Sequence, residues 1–178
     1  TPAGSMLETG AHALGCTVFP AGIGQTEQQV QAMAELRPHG YVGTPSFLKI
    51  ILEKADEMGV VLKSLTKALV SAEAFPKSLS DALCARGIAG YQAYASADLG
   101  AIAYETEARE GLVVDEGVLI EIVRPGTGDP VAVGEVGADP LGGGPDALAV
   151  PDEDGGRGLL LDEDLAGAED LHLLRLGE

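Results

Sequence analysis

"GYVGTPSFLKIILEKADEMG", Gly40–Gly59, holds a strand, a turn and a helix in one short run. Tyr41 and Val42 sit between glycines in a four-residue apolar piece, too short for a helix and apt for a buried strand. Thr44 and Pro45 suit the N-cap and first helical positions, since proline needs no helical N–H there. Leu48, Ile51, Leu52, Ala55 and Met58 then recur at helical spacing, and Gly59 ends the run. A buried strand feeding an amphipathic helix is one half of a β–α–β unit.

The same alternation extends on both sides. "LGCTVFP" (14–20) reads as a strand and "TEQQVQAMAELR" (26–37) as a helix. There Thr26 and Gln29 have capping-box spacing, and Val30, Met33 and Leu36 form an apolar stripe. "KALVSA" (67–72), "SLSDALCAR" (78–86) closed by Gly87, and "IAGYQAYA" (88–95) supply a strand, a helix and a strand. Strands alternating with helices indicate a parallel sheet with flanking helices, and ligands at the carboxyl ends of its strands. After residue 100 the period changes. "AIAYET", "GLVV", "GVLIEIVRP" and "VAVGEVG", punctuated by "DEG" and "PGTGDP", read as short antiparallel β hairpins.

A composition break falls near Gly137. Residues 138–178 contain seven Asp, four Glu and two Arg, a net of −9 within the −17 of the chain, and no Lys, Ser, Thr, Ile, Phe or Tyr. This reads as an acidic low-complexity tail, disordered by composition at its start and helical at its end, where Leu161, Leu165 and Leu171–Leu174 partly fit a helix. The expected organisation is thus 1–137 (α/β over 1–100, β-rich over 101–137) and the tail 138–178.

The acidic balance disfavours nucleic acid and anionic membrane as partners. No apolar run reaches the ~18 residues of a membrane span, and no leader is evident. A first residue other than Met suggests a sequence that starts within a longer one or was processed. Cys16 and Cys84 lie far apart in apolar settings and read as buried reduced thiols of a cytoplasmic protein. His12, His39 and His172 have no metal-ligand spacing. Glu105 and Glu107 read as solvated strand-end carboxylates.

Three loops follow the parallel strands: "GTPSF" (43–47), "SAEAFP" (71–76) and "YASADLG" (94–100). A helix N-terminus can receive an anion, a tyrosine face can carry a purine, and a carboxylate can hold magnesium beside substrate phosphates. Each alone reads more simply as a capped helix, a turn or ordinary packing. In order, "GYVGTPSF … LVSAEAFP … YQAYASADLGAIAYE … PGTGDPVAVGEVG", they resemble the phenylacetate–CoA ligase family of adenylate-forming (AMP-binding) acyl-CoA ligases. The resemblance covers residues 1 to about 137 and begins with "TPAGSMLETGAHALGCTVFPAGIGQTEQQV".

It implies a fragment of the large domain of such a ligase. It also implies ATP-dependent conversion of a small-molecule carboxylic acid to an acyl-adenylate, then a thioester with coenzyme A, with Mg²⁺ as cofactor. Ala72, Glu73 and Ala74 would line the adenine, Tyr94 would contact it, Ser96 would supply a hydroxyl near the phosphates, and Asp98 would be the magnesium carboxylate. Tyr41, Pro45 and Phe47 would line the acyl pocket. The family signature has Gly, Ser/Thr and Glu where this chain has Ala95, Ala97 and Asp98, so the hydroxyl sits one position early. The family's Ser/Thr/Gly-rich phosphate loop, ribose-binding Asp and catalytic Lys have no match in the chain. No catalytic residue is therefore assigned, and the isolated chain is expected to be inactive. The alternative is a non-catalytic module that binds a nucleotide or a partner, with self-association through an exposed sheet edge. An unrelated doubly wound nucleotide-binding domain lacks support, since no G-x-G-x-x-G or G-x-x-x-x-G-K-[ST] occurs.

Overall fold

The computed structural model describes residues 2–96, 98–124, 127–132, 136–138, 147–149 and 172–176. Its α/β part runs α1 (Pro2–Ala13), β1 (Cys16–Pro20), α2 (Thr26–Leu36), β2 (Gly40–Gly43), α3 (Pro45–Glu57), β3 (Lys67–Val70), α4 (Lys77–Ala85) and β4 (Ala89–Ser96). β5 (Gly100–Glu105) and β6 (Leu112–Val114) follow, then β7 (Val136–Ala138), β8 (Ala147–Ala149) and β9 (His172–Leu176). The largest sheet has the order β1-β9-β2-β3-β4-β5-β6, and β7 and β8 form a separate antiparallel pair.

β2, β3 and β4 are parallel, in registers that align Gly43 with Val70 and Val70 with Gln92. β5 and β6 add antiparallel strands to the β4 side, with an irregularity in register between Tyr94 and Ala95. The change from parallel to antiparallel therefore falls within the β4–β5 hairpin, as the periodicity indicates. "GVLIEIVRP" departs from expectation: among the described residues its strand pairing is limited to the isolated bridge Val123–Pro130, with the Arg124 N–H donating to Asp129 O and the Val131 N–H to Ile122 O.

Helix α3 shows why the opening stretch is so legible. The Thr44 hydroxyl accepts the Phe47 N–H at 3.4 Å, and Pro45 starts the helix. At the other end Gly59 takes φ 67°, its N–H donates to Asp56 O, and the Val60 N–H donates to Ala55 O. α4 closes in the same way: Gly87 at φ 78° donates to Cys84 O and Ile88 to Leu83 O. Both ends are Schellman motifs, which need glycine at the left-handed position and place two apolar residues in contact.

α2 is capped differently from the expectation. Thr26 is the first helical residue, Gln25 is the N-cap in a left-handed conformation, and no side chain caps the helix. Gln29 turns inward, and its amide donates to Gly22 O and Gly24 O at 3.2 and 2.7 Å. It takes a place on the buried face beside Val30 and Met33, while Leu36 is 42% exposed. Helix α1 had no counterpart in the sequence reading, because its glycines and small residues mask the helical period.

One core joins these elements. Val30 and Met33 of α2, Leu48, Ile51, Leu52 and Ala55 of α3, Ala68 and Val70 of β3, and Leu83 of α4 pack together with Tyr41, Leu65 and Ile88. Without tryptophan, aliphatic side chains fill it, each contributing about 1.5–3 kcal/mol when fully buried. Most of residues 138–171 lie outside the described residues. His172–Leu176 forms a strand where the leucine spacing suggested a helix: it lies between β1 and β2 and pairs antiparallel with both. Short apolar runs carry no unambiguous period, so neighbouring strands decide their form. Among the described residues, no helix is long and apolar enough to cross a membrane.

Candidate functional site

The three loops singled out in the sequence all leave the carboxyl ends of neighbouring parallel strands: 43–47 leaves β2, 71–76 leaves β3, and 94–100 belongs to the end of β4. The first two are joined directly. The Ser71 N–H donates to Gly43 O at 3.2 Å, and the Ser46 N–H donates to the Glu73 carboxylate at 3.2 Å. The third is placed by the β3–β4 pairing, which ends at Val70 and Gln92 and leaves Tyr94 and Ser96 farther along the strand.

The loop after β3 is held in an unusual shape. Ala72 takes φ 70°, a left-handed conformation that costs a non-glycine residue about 1 kcal/mol or more. Phe75 anchors the far side of the loop. A Cβ added at Gly90 of β4 would lie 2.8 Å from the Phe75 ring and 3.1 Å from Leu83, so the ring packs where only a glycine leaves room. Ala72, Glu73 and Ala74 are each partly exposed and available at the surface of the loop.

The residues expected at the acyl side divide. Tyr41 is buried to 1% exposure, and its hydroxyl donates to Thr44 O at 2.8 Å. Burial, and then the negative charge of Glu73, push its phenol above the ordinary range, so it stays protonated. Pro45 is fully buried as well. In this structure both are core residues that fix the start of α3, and of the three only Phe47 keeps exposed surface.

At the end of β4, Tyr94 is partly buried opposite Ala103. The Ser96 hydroxyl accepts the Leu99 N–H at 3.1 Å and so closes the turn. Asp98 is exposed, and Ala97 lies outside the described residues. Among the described residues no group of three His, Cys, Asp or Glu side chains could hold a metal. A single exposed carboxylate still suits magnesium, which takes one or two carboxylates and keeps waters and substrate phosphates as its other ligands. Cys16 is buried as expected, but Cys84 is exposed on α4.

One expectation is corrected at the base of β4. Glu105 is not a solvated carboxylate: its side chain is 14% exposed, accepts from Arg109 at 2.8 Å and from the Gln92 N–H at 3.1 Å. Arg109 also donates to Gly90 O and lies over the Tyr91 ring, 3.8 Å from its centroid. The spacing Glu105–Arg109 hints at a pair, but its closure onto β4 depends on the hairpin. At Ser46 the helix N-terminus does receive an anion, but that anion is the Glu73 side chain of the neighbouring loop.

No protein-family profile matches the chain. The phenylacetate-coenzyme A ligase of Aromatoleum evansii is 33% identical over 135 residues, 72% of this chain and 31% of that protein. The enzyme of the same name from Thermus thermophilus is 33% identical over 141 residues, 74% of this chain and 31% of its own length. Among solved structures, 2-hydroxyisobutyryl-CoA ligase in complex with 2-HIB-AMP and CoA matches 90% of this chain and 37% of its own, with a TM-score of 0.62 and 20% identity. Anthranilate CoA ligase in complex with anthranoyl-AMP matches 65% of this chain and 23% of its own, with a TM-score of 0.52 and 16% identity. The chain thus belongs to the phenylacetate–coenzyme A ligase family, spans about a third of its relatives' length, and has the fold of adenylate-forming ligases.

Proposed function

We propose that the chain carries the adenine-side and acyl-side loops of an AMP-forming acid–CoA ligase of the arylacetate type. The observation that supports this reading most is the convergence of 43–47 and 71–76 at neighbouring strand ends, joined through Ser46, Glu73, Ser71 and Gly43. The whole protein would use ATP and coenzyme A and would activate a small carboxylic acid. Attack of a carboxylate on the α-phosphate brings two anions together, so the reaction depends on alignment and charge neutralisation. Tyr94 and the Ala72–Ala74 backbone would receive the adenine, and Phe47 would meet the acyl group. Asp98 would hold magnesium, which when bound supplies positive charge at the phosphates. Ser96, whose hydroxyl already accepts the Leu99 N–H, would shape the turn.

Calorimetric titration of the purified chain with AMP and with a hydrolysis-resistant arylacetyl-adenylate analogue tests the reading. Saturable binding of the analogue, weakened about tenfold or more by Tyr94→Ala, is the expected result, as stacking contributes about 1–3 kcal/mol per base. A folded chain that binds neither compound would overturn it. ATP–pyrophosphate exchange by the chain alone should be weak or nil. A second reading, a partner-binding module that self-associates, draws on β1: it is an edge strand, with Phe19 exposed and Leu14 and Ile23 exposed at its ends. Sedimentation across concentrations separates the two, because a clean monomer that binds nucleotide supports only the first.

A further inference from the structure

The loop after β3 carries one carboxylate, and its side chain turns toward the α3 helix. The Glu73 carboxylate lies 3.2 Å from the Ser46 N–H, in the first turn of α3, where helix N–H groups lack partners and the dipole favours negative charge. Around this contact the same turn is fixed from three sides. Thr44 caps Phe47, Tyr41 donates to Thr44 O, and Ser71 donates to Gly43 O. The left-handed Ala72 lies between the two attachment points of the loop, Ser71 and Glu73. A strained residue held between two tethers is the arrangement in which the tethers, not local preference, set the loop conformation.

We infer that Glu73 is a positioning residue, a strut that ties the adenine-side loop to the acyl-side turn of α3 and sets the distance between them. This rests on the functional reading above. With the carboxylate engaged by Ser46, the loop presents the Ala72–Ala74 backbone to a ligand. A compound that spans both segments then gains from the preset loop and from the preset spacing, whereas AMP, which would meet only the adenine-side loop, gains from the first alone.

The test compares the wild-type chain with Glu73→Ala and Glu73→Gln. The ¹H–¹⁵N resonance of Ser46 should move upfield and lose exchange protection in Glu73→Ala, with most of both restored in Glu73→Gln, whose amide oxygen can still accept. Affinity for the arylacetyl-adenylate analogue should fall about tenfold in Glu73→Ala, several-fold more than that for AMP, in line with loss of one charge-assisted hydrogen bond. Equal weakening of both ligands would overturn the inference by placing the carboxylate on the nucleotide. An unchanged analogue affinity would overturn it by showing no coupling. If the wild-type chain binds neither ligand, the functional reading fails while the Ser46 resonance still decides whether the strut exists.

Discussion

The two ends of β4 are built on opposite terms. At its start, Gly90 is buried under Phe75 and Leu83, its carbonyl accepts from Arg109, and Arg109 covers Tyr91 while pairing with Glu105. Glu105 in turn accepts the Gln92 N–H. At its finish, the strand register breaks between Tyr94 and Ala95, and the turn is closed by the hydroxyl of Ser96, with Asp98 and Leu99 exposed beyond it. The difference teaches how a hairpin can leave an exposed polar tip without losing its place. Packing and paired charge fix the base, and the tip is left polar and open.

That contrast can be broken from the base. Gly90→Val should cost about 1–3 kcal/mol in chemical denaturation, because a side chain there meets the Phe75 ring. It should also weaken the adenylate analogue, since Phe75 anchors the 71–76 loop. A smaller loss, about 1–2 kcal/mol, is expected for Glu105→Ala, which leaves Arg109 half-buried without its anion and Gln92 without its acceptor. Arg109→Met should cost about 1 kcal/mol. Its double-mutant cycle with Glu105→Ala should show a coupling of about 0.5 kcal/mol or more, and a coupling near zero would mean that the pair does not act as a clamp. The tip should be the least sensitive. Ser96→Ala is expected to change stability by no more than about 0.5 kcal/mol, because its hydroxyl bond is exposed to water. A loss as large as that at Glu105 would show that both ends of β4 are equally structural.

The parts of the fold that were legible in the sequence are those governed by local rules. Thr44, Pro45, Gly59 and Gly87 mark helix ends because capping geometry depends on a few adjacent residues. The apolar spacing of α3 names its buried face correctly, and the change of period after residue 100 marks the antiparallel hairpin. Local rules fail at α2, where Gln29 serves the buried face instead of a capping box, because the Gly22 and Gly24 carbonyls lie within its reach only after the loop has closed. They are silent on Tyr41 and Pro45, which are buried here and whose residue types suit a pocket as well as a core. Composition cannot tell which way a side chain turns.

The order of the motifs "GYVGTPSF", "SAEAFP" and "YASADLG" was in the sequence alone, and with it the family resemblance and the parallel sheet that carries these loops. Only tertiary structure decided that Glu73 meets Ser46, that Phe75 occupies the space over Gly90, that Arg109 returns to β4, and that His172–Leu176 lies between β1 and β2. Each of these contacts joins segments distant in the chain. The energy of such a contact depends on a geometry that many other segments must first establish, so no local pattern can encode it.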